Sequence, residues 1–147
     1  MNIARATPGH APVLAALHAA GYDAPWSAAE FAALLGQPGV GAWIASADEH
    51  PAAFILIRSA ADEAEILTLV AVPEHRRHGF AARLVQEACS ILRAAGTRRL
   101  FLEVAADNTA ARALYERCGF AEHGRRKGYY RAGRSQAVDA VLMALTL

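Results

Sequence analysis

The stretch Ala71–Leu84, AVPEHRRHGFAARL, decides how this chain is read. It continues an apolar run, Ile66-Leu67-Thr68-Leu69-Val70-Ala71-Val72, that reads as a buried strand. Pro73 ends the strand, because proline has no N–H to give to a ladder. The polar segment Glu74-His75-Arg76-Arg77-His78 follows, then Gly79, then a helical pattern. A strand that passes through a glycine-containing loop into a helix aims bare backbone N–H groups at whatever lies above the helix start. Those groups and the positive end of the helix dipole favour a phosphate. Gly79 lets an anion come close to the backbone, and Arg76, Arg77 and His78 add positive charge. The plainer reading is a strand–turn–helix join with a basic, solvated turn, so the rest of the chain has to decide.

Outward from this stretch, the pattern Gly79–Ala95 is helical. Ala81, Leu84, Val85, Ala88, Leu92 and Ala95 form one stripe, Arg83, Gln86, Glu87, Ser90 and Arg93 the other, and Gly96 ends it. Arg98–Val104, RRLFLEV, reads as a strand. Strand, helix and strand in this order imply a parallel crossover. After the turn Ala105–Asn108, Asp107 or Asn108 can cap a helix Thr109–Arg117 that Gly119 closes. Two last strands fall near Ala121–Tyr130 and Ala137–Leu145.

Toward the N-terminus, Asn2–Ala6 reads as a strand and Thr7-Pro8 as the cap and first residue of a helix running to about Ala20. Its apolar face is Val13, Leu14, Leu17 and Ala20, and its stop is Gly21. In Pro25-Trp26-Ser27-Ala28-Ala29-Glu30-Phe31, Ser27 and Glu30 have capping-box spacing, and Trp26 and Phe31 are placed to form a hydrophobic staple. That structural reading is the stronger one; the other is that Pro25-Trp26 shapes a groove between the first two helices. Val40–Ser46 and Ala52–Arg58 read as strands joined through Asp48–Pro51, with Glu65–Val72 next. The order is β-α-α-β-β-β-α-β-α-β-β: an α/β chain with one mixed sheet and helices on both faces.

Composition sets bounds. The 147 residues suit a single domain spanning 1–147, and the apolar share of 54% against 20% charged describes a globular chain. A net charge of +1 argues against a broad nucleic-acid or membrane surface, and no apolar run reaches the roughly 20 residues that span a bilayer. Met1-Asn2-Ile3-Ala4-Arg5 lacks a signal-peptide pattern, and two cysteines, Cys89 and Cys118, read as small buried thiols, which points to the cytoplasm. The six histidines are scattered. His75 and His78 have no third ligand in sight, so no metal is expected.

Glu103 is the last polar residue of a strand whose other face is Leu100, Leu102 and Val104, and Tyr115 lies two helical turns after Asn108. In a crossover fold, strand ends and helix starts gather at one edge of the sheet, where Glu103, Asn108, Tyr115 and the glycine loop would converge. Such a set suits acyl transfer to an amine. An ammonium cannot attack, so Glu103 could take its proton, and a tyrosine hydroxyl could protonate a leaving thiolate. Backbone N–H groups of the strand before the loop could hold the thioester oxygen. Each residue also has an ordinary reading, a solvated strand-end carboxylate and a core tyrosine with its hydroxyl at the rim.

Several motifs in one order carry a resemblance. Arg76-x-x-Gly79-x-Ala81 is similar to the Q/R-x-x-G-x-G/A signature of the GNAT N-acetyltransferases. Leu102-Glu103-Val104 followed by Asn108–Phe120, NTAARALYERCGF, resembles the L-E-V…N-x-x-A-x-x-L-Y-x-x-x-G-F pattern of their RimI-like branch, the bacterial ribosomal-protein-alanine N-acetyltransferases. Pro25-Trp26-Ser27, the R-x-x-Y-Y within Arg125–Tyr130 and the D-A-x-x-M of Asp139–Met143 match further motifs. Val72, His75, Phe80 and Ala81 depart from commoner loop residues. The resemblance implies Glu103 as general base and Tyr115 as general acid. It implies that the backbone of Leu69, Val70 and Ala71 pairs with the pantetheine arm of acetyl-CoA. Amides of Arg77, His78, Gly79, Phe80, Ala81 and Ala82 would hold its pyrophosphate, and Asn108 would bond the arm. Trp26, Tyr129 and Tyr130 would border the acceptor groove.

A protein α-amine titrates near ~8 and a lysine near ~10.4, so at neutral pH roughly a tenth of the former is free base against a few in ten thousand of the latter. One carboxylate base therefore favours an N-terminal amine, and the resemblance points to a small-subunit ribosomal protein. The expected partner is that protein N-terminus, with no nucleic acid or membrane, and the expected state is a monomer or weak homodimer. The alternatives are acetylation of a small-molecule amine and a module that binds acyl-CoA without turnover.

Overall fold

A computed structural model describes residues 1–76, 78–131 and 133–147. It contains seven strands, β1 (Asn2–Arg5), β2 (Val40–Ala47), β3 (His50–Ala60), β4 (Glu63–Ala71), β5 (Arg99–Ala105), β6 (Ala121–Tyr130) and β7 (Val138–Thr146), and four helices, α1 (Ala11–Gly21), α2 (Ala28–Leu35), α3 (Phe80–Ala94) and α4 (Thr109–Arg117). The element order is the expected one. The strands form one sheet in the order β1-β2-β3-β4-β5-β7-β6. Among the described residues, only β4 and β5 run parallel, joined by the α3 crossover; every other neighbour pair is antiparallel. The last strand inserts between β5 and β6 and leaves β6 at the edge.

Two cores lie on the two sides of the sheet. Under α3 and α4, Leu84, Val85, Ala88 and Leu92 pack on Ile55, Ile57, Leu100, Leu102 and Val104. Under α1 and α2, Leu14, Leu17 and Phe31 pack on Ala42, Ile44, Phe54, Leu56 and Val70. Alternating residues of β3 and β5 serve opposite faces because successive side chains of a strand point to opposite sides.

The Ser27–Glu30 capping box forms, with Glu30 N–H donating to Ser27 Oγ at 3.1 Å and Ser27 N–H to Glu30 Oε1 at 3.3 Å. The Trp26–Phe31 staple closes with ring centroids 5.6 Å apart. At the N-terminus the outcome differs. Thr7 opens a separate 3-10 turn, Pro8–His10, whose histidine accepts Thr7 N–H at Nδ1 (2.9 Å); the α-helix begins only at Ala11. Gly21 is the last residue of α1 rather than its stop. The buried face of α1 is Ala11, Leu14, Leu17 and His18, while Ala20 is exposed. On α3, Ala95 is exposed, and Phe80 and Cys89 complete the stripe. Cys89 is buried, whereas Cys118 follows α4 and is half-buried.

One irregularity shapes the whole. β4 and β5 pair only through Glu63–Arg99, Ala64–Leu100 and Glu65–Phe101. Just beyond, the register with β3 shifts from Ile57–Ile66 to Leu56–Thr68, so Leu67 is an extra residue, a β-bulge. A bulge bends its strand, and from here β4 and β5 separate toward their C-terminal ends. The two ends that carry the glycine loop and Glu103 therefore border a split in the sheet.

Candidate active site

The split opens into a cleft of about 930 Å3. Its walls are the end of β4 (Leu69, Val70, Ala71), the start of α3 (Gly79, Phe80, Ala81, Ala82), α4 (Asn108 and Tyr115 among others), and Gly21 at the end of α1 with Tyr22 after it. Beyond Glu65, β4 offers an edge that β5 does not pair, a place where a ligand with amides of its own can add as a short strand.

Gly79 caps α3 from the left-handed region, φ 79°, without a side-chain hydrogen bond to the helix. The first amides of α3 therefore have no partner within the helix and face the cleft. A Cβ built on Gly79 would meet nothing within 4 Å, so the space above this helix start is open. An open, uncapped N-terminus of a 15-residue helix beside a long cleft suits a phosphate. Arg76 is tied down instead, its Nε donating to Ala71 O at 3.3 Å, which holds the loop against the end of β4. His78 is exposed and absent from the cleft wall, while His75 and Arg76 are in it. Arg77 lies outside the described residues.

Tyr115 is buried at 8% exposure, its ring edge-on to Phe120 at 5.6 Å. Burial holds its phenol protonated far above the usual tyrosine range, with Tyr22 adding to the effect, so its hydrogen stays available to a group in the cleft. Asn108 is the cap of α4, accepting Ala111 N–H at Oδ1 (3.2 Å), so that oxygen is spent on the helix.

The expectation that Glu103 and Tyr115 converge needs correcting. They reach the same edge of the sheet but from opposite faces, because Glu103 alternates with Leu102 and Val104, which pack under α3 with Tyr115. Glu103 opens on a second hollow of about 360 Å3 with Phe101, His123 and Arg126. Its Oε1 pairs with Arg126 at 3.0 Å, and the Arg126 guanidinium also lies 5.3 Å from the Tyr129 ring centre. Burial, then Glu103, Tyr129 and Tyr22, raise the Tyr130 phenol above the usual range. The cleft itself carries residues of both faces, with Val70 from the α1 side and Phe80 and Tyr115 from the α3 side. Tyr115 lines this cleft, whereas Glu103 lines the second hollow.

Asp139 organises the far end of β6. Its Oδ1 accepts Gly128 N–H at 3.0 Å, its other oxygen lies 3.7 Å from Arg125, and Gly128 takes φ 59°. Tyr129 and Tyr130, past a register shift against β7, stand edge to face at 5.2 Å. Among the described residues, Trp26, Tyr129 and Tyr130 line neither cavity. Sequence reasoning missed Tyr22 and His18. The signal for Tyr22 was its place directly after the glycine that ends α1. For His18 it was the spacing of four from Leu14 on the apolar stripe.

A parallel crossover, a bulged and split sheet, and a helix start open to phosphate define a class. This chain belongs to the acetyltransferase (GNAT) family, which matches residues 11–120. It is 33% identical over 123 residues to the [ribosomal protein bS18]-alanine N-acetyltransferase of Escherichia coli strain K12, covering 84% of this chain and 82% of that one. The enzyme of the same name from Salmonella typhimurium strain LT2 is 36% identical over 102 residues, 69% of this chain and 68% of that one. The crystal structure of the Escherichia coli ribosomal-protein-S18-alanine N-acetyltransferase superposes with a TM-score of 0.92 at 29% identity, over 99% of this chain and 92% of that one.

Proposed function

We propose that this protein transfers the acetyl group of acetyl-CoA to the N-terminal alanine of a ribosomal protein in the cytoplasm. The likeness to the Escherichia coli bS18-alanine N-acetyltransferase along 84% of the chain is the observation that carries this reading. The cleft supports it, since its open helix start and unpaired β4 edge fit a diphosphate and an amide-bearing arm.

Bound acetyl-CoA supplies the activated acyl carbon. The amides of Gly79, Phe80, Ala81 and Ala82 hold its diphosphate, and the edge of Leu69, Val70 and Ala71 takes the pantetheine arm. Glu103 receives the proton of the attacking amine from the face opposite the cleft, directly or through water. Arg126 steadies the carboxylate between turnovers and yields one oxygen to the amine. Tyr115 gives its phenolic proton to the departing sulfur, so that CoA leaves as the thiol. Trp26, Tyr129 and Tyr130 border the acceptor.

A peptide that begins with alanine, incubated with acetyl-CoA and the protein, is expected to gain one acetyl group at its α-amine. Free amino acids and small amines are expected to turn over far more slowly. Glu103→Gln and Tyr115→Phe are each expected to lower kcat by about 10²–10⁴-fold while acetyl-CoA still binds. Variants as fast as the parent would remove these roles. Equal turnover of small amines would shift the reading to a small-molecule acetyltransferase.

A further inference from the structure

His18 is a histidine with 2% exposure in the middle of an aromatic cluster, and the chemistry above does not use it. Its ring stacks on Tyr22 at 4.4 Å and on Trp26 at 5.0 Å, with Phe31 edge-on at 5.4 Å. Nδ1 accepts the backbone N–H of Trp26 at 2.9 Å. An imidazole nitrogen that accepts carries no hydrogen, so in the neutral ring the proton sits on Nε2. Nε2 lies 3.3 Å from Thr68 Oγ1 and donates to it. The Thr68 hydroxyl, itself buried, then points its hydrogen at Tyr22 Oη, 3.5 Å away. The hydrogen of the Tyr22 hydroxyl is left for the cleft, whose wall includes Tyr22.

The relay runs in one direction, from Trp26 N–H through His18 and Thr68 to Tyr22. It joins the turn before α2 to the bulge of β4, where the sheet splits. We infer that His18 is a positioning residue for the acceptor: in its Nε2–H form it pins the turn at Trp26 to the split and aims the Tyr22 hydroxyl into the cleft. The inference rests on the reading in which the acceptor enters beside Trp26.

A charged His18 would set an Nδ1–H against the Trp26 N–H, so the relay works only with the neutral ring. The titratable groups facing the ring are Glu30 of α2 and Tyr22 at the end of α1. β3 and β4 present Phe54 and Thr68, which do not titrate. Burial keeps His18 neutral to lower pH than a free histidine, against the weaker pull of Glu30.

The test is steady-state kinetics of the full chain with acetyl-CoA and the alanine-starting peptide. His18→Phe keeps the ring stack but removes the acceptor. It is expected to raise the peptide KM about tenfold, with kcat and the acetyl-CoA KM held within about twofold, as one stranded buried N–H predicts. His18→Asn restores an acceptor near Nδ1 and is expected to recover most of that loss. It is also expected to show a smaller rise in peptide KM on acidification than the parent, since protonation of the peptide amine raises KM equally in both and only the parent adds the charging of His18. An unchanged peptide KM in His18→Phe, or equal rises in both KM values, would overturn the inference.

If His18→Phe does not fold, two other measurements decide. One is the pH dependence of His18→Asn, where a parent-like acid rise overturns the inference. The other is side-chain ¹⁵N NMR of His18 in the parent, where an Nδ1–H ring does the same. The NMR arm needs no turnover. A parent that leaves the peptide unacetylated therefore counts against the acceptor reading, while the spectrum still reports whether His18 holds Trp26.

Discussion

Gly79 shows how one residue serves a site by what it lacks. At φ 79° an L side chain is strained, and the space where its Cβ would stand is empty. Gly79→Ala is therefore expected to cost about 1–2 kcal/mol of stability from the left-handed backbone alone. It is also expected to raise the acetyl-CoA dissociation constant, because the new methyl group occupies the approach to the α3 amides. Calorimetric titration beside urea unfolding separates the two effects. Unchanged affinity would show that no anion approaches the backbone there. Tyr115 makes a related point: burial that keeps its phenol protonated also withholds it from water, so its hydrogen is spent inside the cleft. Glu103, paired with Arg126 on the opposite face, stays partly solvated, which suits the proton acceptor we propose it to be.

At the scale of elements, α2 is the clearest case of local determination. Its capping box and staple use only residues within five positions of one another, and all of them form as their spacing predicts. Ser27→Ala is expected to destabilise the fold by about 1 kcal/mol, a few degrees in Tm by calorimetry. Because the Trp26 turn hangs on this helix start, the peptide KM should rise as well. A variant with parental Tm would mean that the cap contributes nothing the tertiary contacts do not already supply. α1 is the contrary case. Thr7-Pro8 is a proper helix opening by composition, yet Thr7 and His10 close a 3-10 turn first. The face of α1 then rotates so that His18, not Ala20, turns inward. Helical periodicity leaves both rotations open. The choice was made by Thr68 and the Trp26 N–H, which give the imidazole two partners that a chain read alone does not reveal.

For the molecule as a whole, the titrating groups bracket a pH window. His18 stays neutral when folded, whereas an unfolded histidine takes a proton near 6.5. Its contribution to stability is present above that value and is lost as pH falls toward its lower folded value. Cys89, Cys118 and Tyr115 are shifted upward by burial from ordinary values of 9.0 for the thiols and 10.0 for the phenol. Their contribution is present below those values and is lost as pH rises from them toward the higher folded values. Urea unfolding is therefore expected to show greatest stability between roughly pH 6.5 and 9, falling on either side. The acid slope should shrink in His18→Asn. A parent whose stability is level from pH 7 to pH 5, or an unaltered slope in the variant, would contradict this account.

The residues along the chain determined the elements, the parallel crossover and the glycine loop that opens α3. Those features rest on spacings of two to four residues, on Pro73 and on Gly79, and such short-range chemistry is legible without a fold. The family motifs likewise marked Glu103 and Tyr115, because residue identity and order are properties of the chain. Only the tertiary structure decided that the two stand on opposite faces of a sheet split beyond the Leu67 bulge. It alone placed β7 between β5 and β6, and it drew His18, Thr68 and Tyr22 into one relay. These are contacts between positions tens of residues apart, fixed by which strands pair and where pairing stops, and no local pattern encodes that choice.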